Sequence, residues 1–80
     1  MKEKLVLYIY NLNYKVKVKW IKYELNKILS QYSKSYVIRI NNKMPGQAFI
    51  EFKNKTHLTL CHKKINGMFL HDRELYTNII

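Results

Sequence analysis

The sequence predicts an α+β sandwich of order strand, helix, strand, strand, helix, strand (βαββαβ), with two helices on one face of a four-stranded antiparallel sheet. Three observations predict it. Two stretches carry apolar residues at helical spacing, four short β-prone runs surround them with two lying between the helices, and a single Pro-Gly pair, Pro45-Gly46, separates those two central runs. A chain of 80 residues suffices for one domain with one core, so residues 1–80 are read as a single unit in which a deep substrate cavity is not expected.

Leu5 to Tyr10 is apolar and aromatic throughout, without helical spacing, and reads as a strand whose two faces are both occupied. The chain turns at Asn11 to Tyr14. From Val18 the positions Ile21, Leu25, Ile28 and Tyr32 recur at intervals of three and four, the stripe of an amphipathic helix, although Lys17 stands where a capping Ser, Thr or Asp is usual. Tyr36 to Ile40 is a second strand, closed by Asn41 and Asn42, and Gln47 to Phe52 a third. The short connection between them makes a hairpin. Thr56 to Ile65 places Leu58, Cys61 and Ile65 on one helical stripe, with Thr56 as the expected cap and Asn66-Gly67 as the stop. Leu75 to Ile79 supplies the fourth strand.

Two helices on one face leave the other face of the sheet open, and strand alternation decides what stands there. In the third strand Ala48, Ile50 and Phe52 alternate with Gln47, Phe49 and Glu51, so the two sets point to opposite sides. If the first set lies under the helices, Phe49 is on the open face. The same parity sends Leu7 and Ile9 inward and Tyr8 and Tyr10 outward, and gives Arg39 to the open side between Ile38 and Ile40. An uncovered aromatic cluster of this kind is a platform on which unpaired bases stack. Composition agrees: 15 Lys plus Arg against 5 Asp plus Glu give a net charge of +10, which favours a polyanionic partner.

Around this pattern the residues resemble the RNA recognition motif (RRM) family over nearly the whole chain. Leu7 to Leu12, LYIYNL, is similar to the family's hexamer, Pro45 to Phe52, PGQAFIEF, to its octamer, and Ile65 to Leu75, INGMFLHDREL, to the exit of its second helix. The resemblance implies a ferredoxin-like βαββαβ sandwich that binds single-stranded or loop RNA, with Tyr8 and Phe49 as stacking residues; Gln47 and Tyr10 are the candidates for reading base edges, and Arg39 and Lys43 for supplying the phosphate charge that the octamer lacks. Pro45 stands where the octamer usually carries Arg or Lys. Gln47, with Lys43-Met44 before it and Ala48-Phe49 after it, is similar to the spliceosomal snRNP A-type proteins, which implies pre-mRNA splicing and a nuclear location.

Other readings weigh less. Lys2 and Lys4 are further phosphate candidates, but terminal lysines are mostly solvated. Glu51 is a candidate acceptor for a base amino group, and Asn11 more readily ties down the first turn than reads a base. On the first helix Trp20 and Tyr23 fall away from the buried stripe beside Lys19 and Lys27, a composition favoured at protein interfaces. They mark a candidate site for a protein partner, and a protein-interaction module is the alternative function. The competing account folds Trp20 down over the helix edge as satellite core. His57 and Cys61, four apart, with His62 and His71 nearby, fall short of a metal set, since Cys61 is on the buried stripe. No pairing of nucleophile and base and no glycine-rich phosphate loop points to catalysis or a cofactor. The single Cys61 suits a reducing compartment, no run is long and apolar enough to span a membrane, and a monomer is expected for the isolated chain.

Overall fold

The computed structural model describes residues 4–80; Lys2 lies outside them. Strand β1 (Leu5–Tyr10) is followed by helix α1 (Val18–Leu29), strands β2 (Tyr36–Arg39) and β3 (Gln47–Phe52), helix α2 (Lys55–Ile65), a two-residue pair β4 (Phe69–Leu70) and β5 (Arg73–Glu74), and strand β6 (Tyr76–Ile79). The sheet runs β2-β3-β1-β6 and every neighbouring pair is antiparallel. Both central positions are held by the two longest strands, β1 and β3.

The inner sets of the central strands are buried at Leu7 and Ile9 of β1 and at Ala48, Ile50 and Phe52 of β3, with Leu5 partly buried at the start of β1. They meet Ile21, Leu25 and Leu29 of α1 and Leu58, Cys61 and Ile65 of α2 in one cluster. Each fully buried Leu or Ile side chain contributes roughly 1.5–3 kcal/mol of transfer free energy, so this shared core fixes the helices to a single face.

Helix α1 stops at Leu29, three residues before the end of its apolar stripe. The Ser30 amide still bonds the Asn26 carbonyl, but Tyr32 and Ser33 both donate to Leu29, a tighter turn that ends the helix while Tyr32 still packs against the core. Strand β2 likewise ends at Arg39, with Ile40 leaving the ladder but staying against the core. The cap of α2 is Asn54 rather than Thr56. Its side chain accepts from the His57 amide at 3.1 Å, and the chain leaving Phe52 reaches its first helical turn two residues before Thr56. The stop is at the expected pair, with Asn66 as C-cap and Gly67 at φ +87°.

The β4–β5 hairpin falls inside the segment expected to lead directly into the last strand. Its turn places His71 and Asp72 at φ of 50° and 66°, and Leu75 closes its base by donating to the Met68 carbonyl at 2.7 Å. Leu75 is thus buried ahead of the last strand, which begins at Tyr76. At the other hairpin, Gly46 has φ +86°, a conformation that side chains rarely adopt, and its carbonyl accepts from the Leu12 amide at 3.0 Å. Gly46 therefore lets the β2–β3 loop close against the end of β1.

Asn54→Ala removes the side-chain cap and is expected to cost about 1 kcal/mol of unfolding free energy, measured by urea denaturation. Thr56→Ala, at an exposed position past the cap, is expected to cost less than about 0.5 kcal/mol.

Candidate functional site

Register explains the surface that the helices leave open. Tyr8 faces Phe49 across β1 and β3, while Tyr10 faces Gln47 on one side and Tyr76 of β6 on the other. Outward side chains at these positions make a row across three strands. The Tyr8 ring stacks on Phe49 at 5.1 Å between centroids and 29° between planes, and on Tyr10 at 5.2 Å and 19°. Tyr10 continues to Tyr76 at 5.6 Å and 36°. These are offset arrangements that suit the ring quadrupoles. Tyr8, Tyr10 and Phe49 are each partly buried because they lean on one another, and none lies beneath the helices.

Two expected contact residues are committed to neighbours on the same face. Gln47 accepts from the Tyr8 hydroxyl at 2.5 Å through Oε1, which fixes the phenol and directs the carboxamide nitrogen of Gln47 elsewhere. Arg39 stands opposite Phe49 and pairs through Nε with Glu51, two residues along β3. Both partners are at least partly exposed, so this ion pair adds about 0–1 kcal/mol to stability. Arg39 and Glu51 are the only charged residues in β1, β2, β3 and β6, so the four strands carry no net charge.

Lys43 is exposed in the β2–β3 loop, on a turn in which its amide donates to Asn41 Oδ1 at 2.9 Å. Lys4 is exposed ahead of β1. Asn11 takes a left-handed conformation, φ 68°, and is anchored twice: its Nδ2 donates to the Glu74 carbonyl at 2.8 Å and its Oδ1 accepts from Arg73 at 3.2 Å. That is the turn-holding role expected for it.

Tyr76 extends the row without having been singled out in the sequence. It is 39% exposed, and its hydroxyl donates to Glu74 at 3.2 Å. That hydrogen bond, and then the carboxylate's charge, hold its phenol above the usual value of 10.0. The signal was available: Leu75 and Thr77 are the buried positions on either side, so alternation sends Tyr76 to the open face.

On α1, Trp20 and Tyr23 are 51% and 54% exposed, so Trp20 does not fold into satellite core. The two rings meet edge to face at 6.0 Å, with Lys19 Nζ 5.2 Å from the Trp20 ring centre and Lys27 Nζ 5.5 Å from that of Tyr23. Two of the three histidines have structural partners: His57 Nδ1 lies 3.1 Å from Ser33 Oγ, and His62 Nδ1 2.6 Å from Thr77 Oγ1, whereas His71 Nδ1 is buried without one. Among the described residues no three potential metal ligands converge, and no helix is long and apolar enough to cross a membrane.

The sequence model of the RNA recognition motif family matches residues 7–76, a span that runs from β1 to the start of β6. The chain belongs to that family, whose domains are generally RNA-binding and typically non-catalytic. Comparison with curated proteins returns no significant match. Among solved structures, the C. elegans NONO-1 homodimer is similar to this chain with a TM-score of 0.74 at 22% sequence identity. The match covers 94% of this chain and 28% of that one, so what the two share is the fold.

Burial pushes the Cys61 thiol up from 9.0 to about 11. The native protein is therefore expected to resist thiol-directed reagents at pH 8 and to react quickly once unfolded. The folded state holds a proton that the unfolded chain releases between those two values. This contribution to stability is intact below pH 9 and declines as pH rises towards 11, a trend that denaturant midpoints at a series of pH values can follow.

Proposed function

We propose that this domain binds single-stranded or loop RNA by stacking unpaired bases along the Phe49, Tyr8, Tyr10 and Tyr76 row. The observation that carries this reading is the row itself: an aromatic surface across three adjacent strands, on a face the helices leave open. Base stacking on such rings is worth about 1–3 kcal/mol per base. Gln47 holds the Tyr8 ring in place through its carbonyl and offers its amide hydrogens to a base edge. Arg39 reaches a phosphate by exchanging one carboxylate oxygen of Glu51 for a phosphate oxygen, and Lys43 approaches the strand from the loop.

The likeness of the octamer to snRNP A-type proteins supports a place in pre-mRNA splicing and hence in the nucleus. Family membership supports the wider role in RNA processing.

A second reading is favoured by one observation, the half-exposed Trp20 and Tyr23 flanked by lysines on α1. We propose this surface as a site for a protein partner bearing acidic residues, since aromatic rings among cations supply both contact area and charge complementarity.

Replacing Tyr8 and Phe49 together by Ala is expected to weaken binding of short unpaired RNA by at least about 2 kcal/mol, roughly 30-fold, in a domain that stays folded. Parent-like affinity in the double variant would refute the stacking reading. With about 3–5 phosphates neutralised, log affinity is expected to fall against log salt with a slope of about −2 to −3.5. Trp20→Ala is expected to leave RNA affinity unchanged and to cost less than about 1.5 kcal/mol of stability, against roughly 3–5 for truncating a core aromatic. Amide chemical shifts in a titration with an acidic peptide should centre on Trp20 and Tyr23; silence there would remove the second reading.

A further inference from the structure

At the end of the sheet where Gln47 begins β3, the β1–α1 and β2–β3 loops and the start of α1 enclose a cavity of about 170 Å³. Its wall is apolar, made by Leu12, Val16, Val18, Ile21 and Ile40. Its rim is not: Asn41, Asn42 and Gln47 line it as well, so hydrogen-bonding groups ring an apolar hole. An apolar cavity of about 150 Å³ takes a benzene ring. The volume therefore suits a single six-membered ring and is small for a fused purine. Tyr14 and Lys17 also line the cavity, and a flat heterocycle with polar edge atoms matches the apolar and the polar parts of this lining together.

We propose that this cavity takes one pyrimidine base of the RNA strand whose other bases stack on the sheet, and so makes the domain selective for a pyrimidine at one position. The inference rests on the proposed RNA reading and adds to it a source of sequence preference that stacking alone does not give, because every base has a π face. Gln47 joins the two sites, lining the cavity while accepting the Tyr8 hydroxyl at the middle of the aromatic row. Helix α1 enters beside the cavity with Lys17 as its N-cap and no side-chain hydrogen bond to its first turn. The Trp20 amide is taken by the Lys17 carbonyl at 2.9 Å, which leaves the Val18 and Lys19 amides at the helix start to meet a pyrimidine carbonyl oxygen.

Two measurements test the proposal. The first is methyl NMR of the intact chain titrated with uridine and cytidine. The expected result is saturable shifts at Leu12, Val16, Val18, Ile21 and Ile40, with adenosine shifting them far less. If neither pyrimidine nucleoside moves these methyls, or if adenosine moves them equally, the cavity is not a pyrimidine site. The second uses a short oligonucleotide that binds the parent, replaced one position at a time by purine and by an abasic residue. One position should lose roughly tenfold or more with either replacement. In Val18→Phe, where a ring fills the cavity from its wall, that position should become indifferent while the stacking positions keep their effect. An RNA-binding parent with no pyrimidine-selective position overturns the cavity proposal alone. Saturable nucleoside shifts in a protein that binds no oligonucleotide would overturn the RNA reading and leave the cavity a pyrimidine site.

Discussion

The antiparallel pairing of β1 with β3, in the register that sets Leu7 against Ile50 and Tyr8 against Phe49, is the constraint on which the rest depends. Side chains on a strand alternate with a period of two, so one choice of register assigns every residue of both strands to a face. In this register the aliphatic sets coincide on one side, where α1 and α2 cover them, and the rings coincide on the other. A slip of one residue on either strand would put Tyr8 opposite Ile50 or Ala48 and break the core and the aromatic row together. Stability and the candidate site thus impose the same requirement, and selection for one maintains the other.

Elements defined by long periodic patterns were legible in the sequence; those defined by two or three residues were not. β1 and β3 lie where alternation puts them, the three-and-four spacing places both helices though not the last turn of α1 or the first residue of α2, and the outward placement of Tyr8, Tyr10, Phe49 and Arg39 follows from parity alone. The β4–β5 hairpin gave no such signal. Its strands are two residues each, and its turn uses His71 and Asp72 at positive φ where Asn-Gly is the usual mark. Asn54 and Thr56 are both good capping residues, and the choice between them was made by how soon the chain could turn after Phe52. Tyr76 lies in a strand of four residues with a single buried position, Thr77, too short an alternation to mark its face by itself.

Contacts between surface side chains are the other class that the sequence did not show. Arg39 and Gln47 were assigned to the open face correctly, but each is engaged by a neighbour there, Arg39 by Glu51 and Gln47 by Tyr8. Such pairings depend on diagonal relations between strands, which register fixes and composition does not. They change the meaning of each residue: Arg39 is a cation whose charge is already balanced, and Gln47 is first a support for a ring.

That balance separates two properties which the sequence presented as one. The net charge of +10 favours a polyanionic partner, yet the strands of the sheet are neutral and many exposed lysines lie elsewhere, among them Lys19, Lys22 and Lys27 on α1 and Lys55, Lys63 and Lys64 on α2. Screening in physiological salt acts over about 8 Å, so charges across the molecule from the aromatic row attract a polyanion to the domain more than they hold it on the sheet. On the proposed reading, affinity at the sheet comes from rings and the cavity beside them, with few phosphates engaged. The lysine-flanked Trp20 and Tyr23 are then left free to meet a different molecule at the same time.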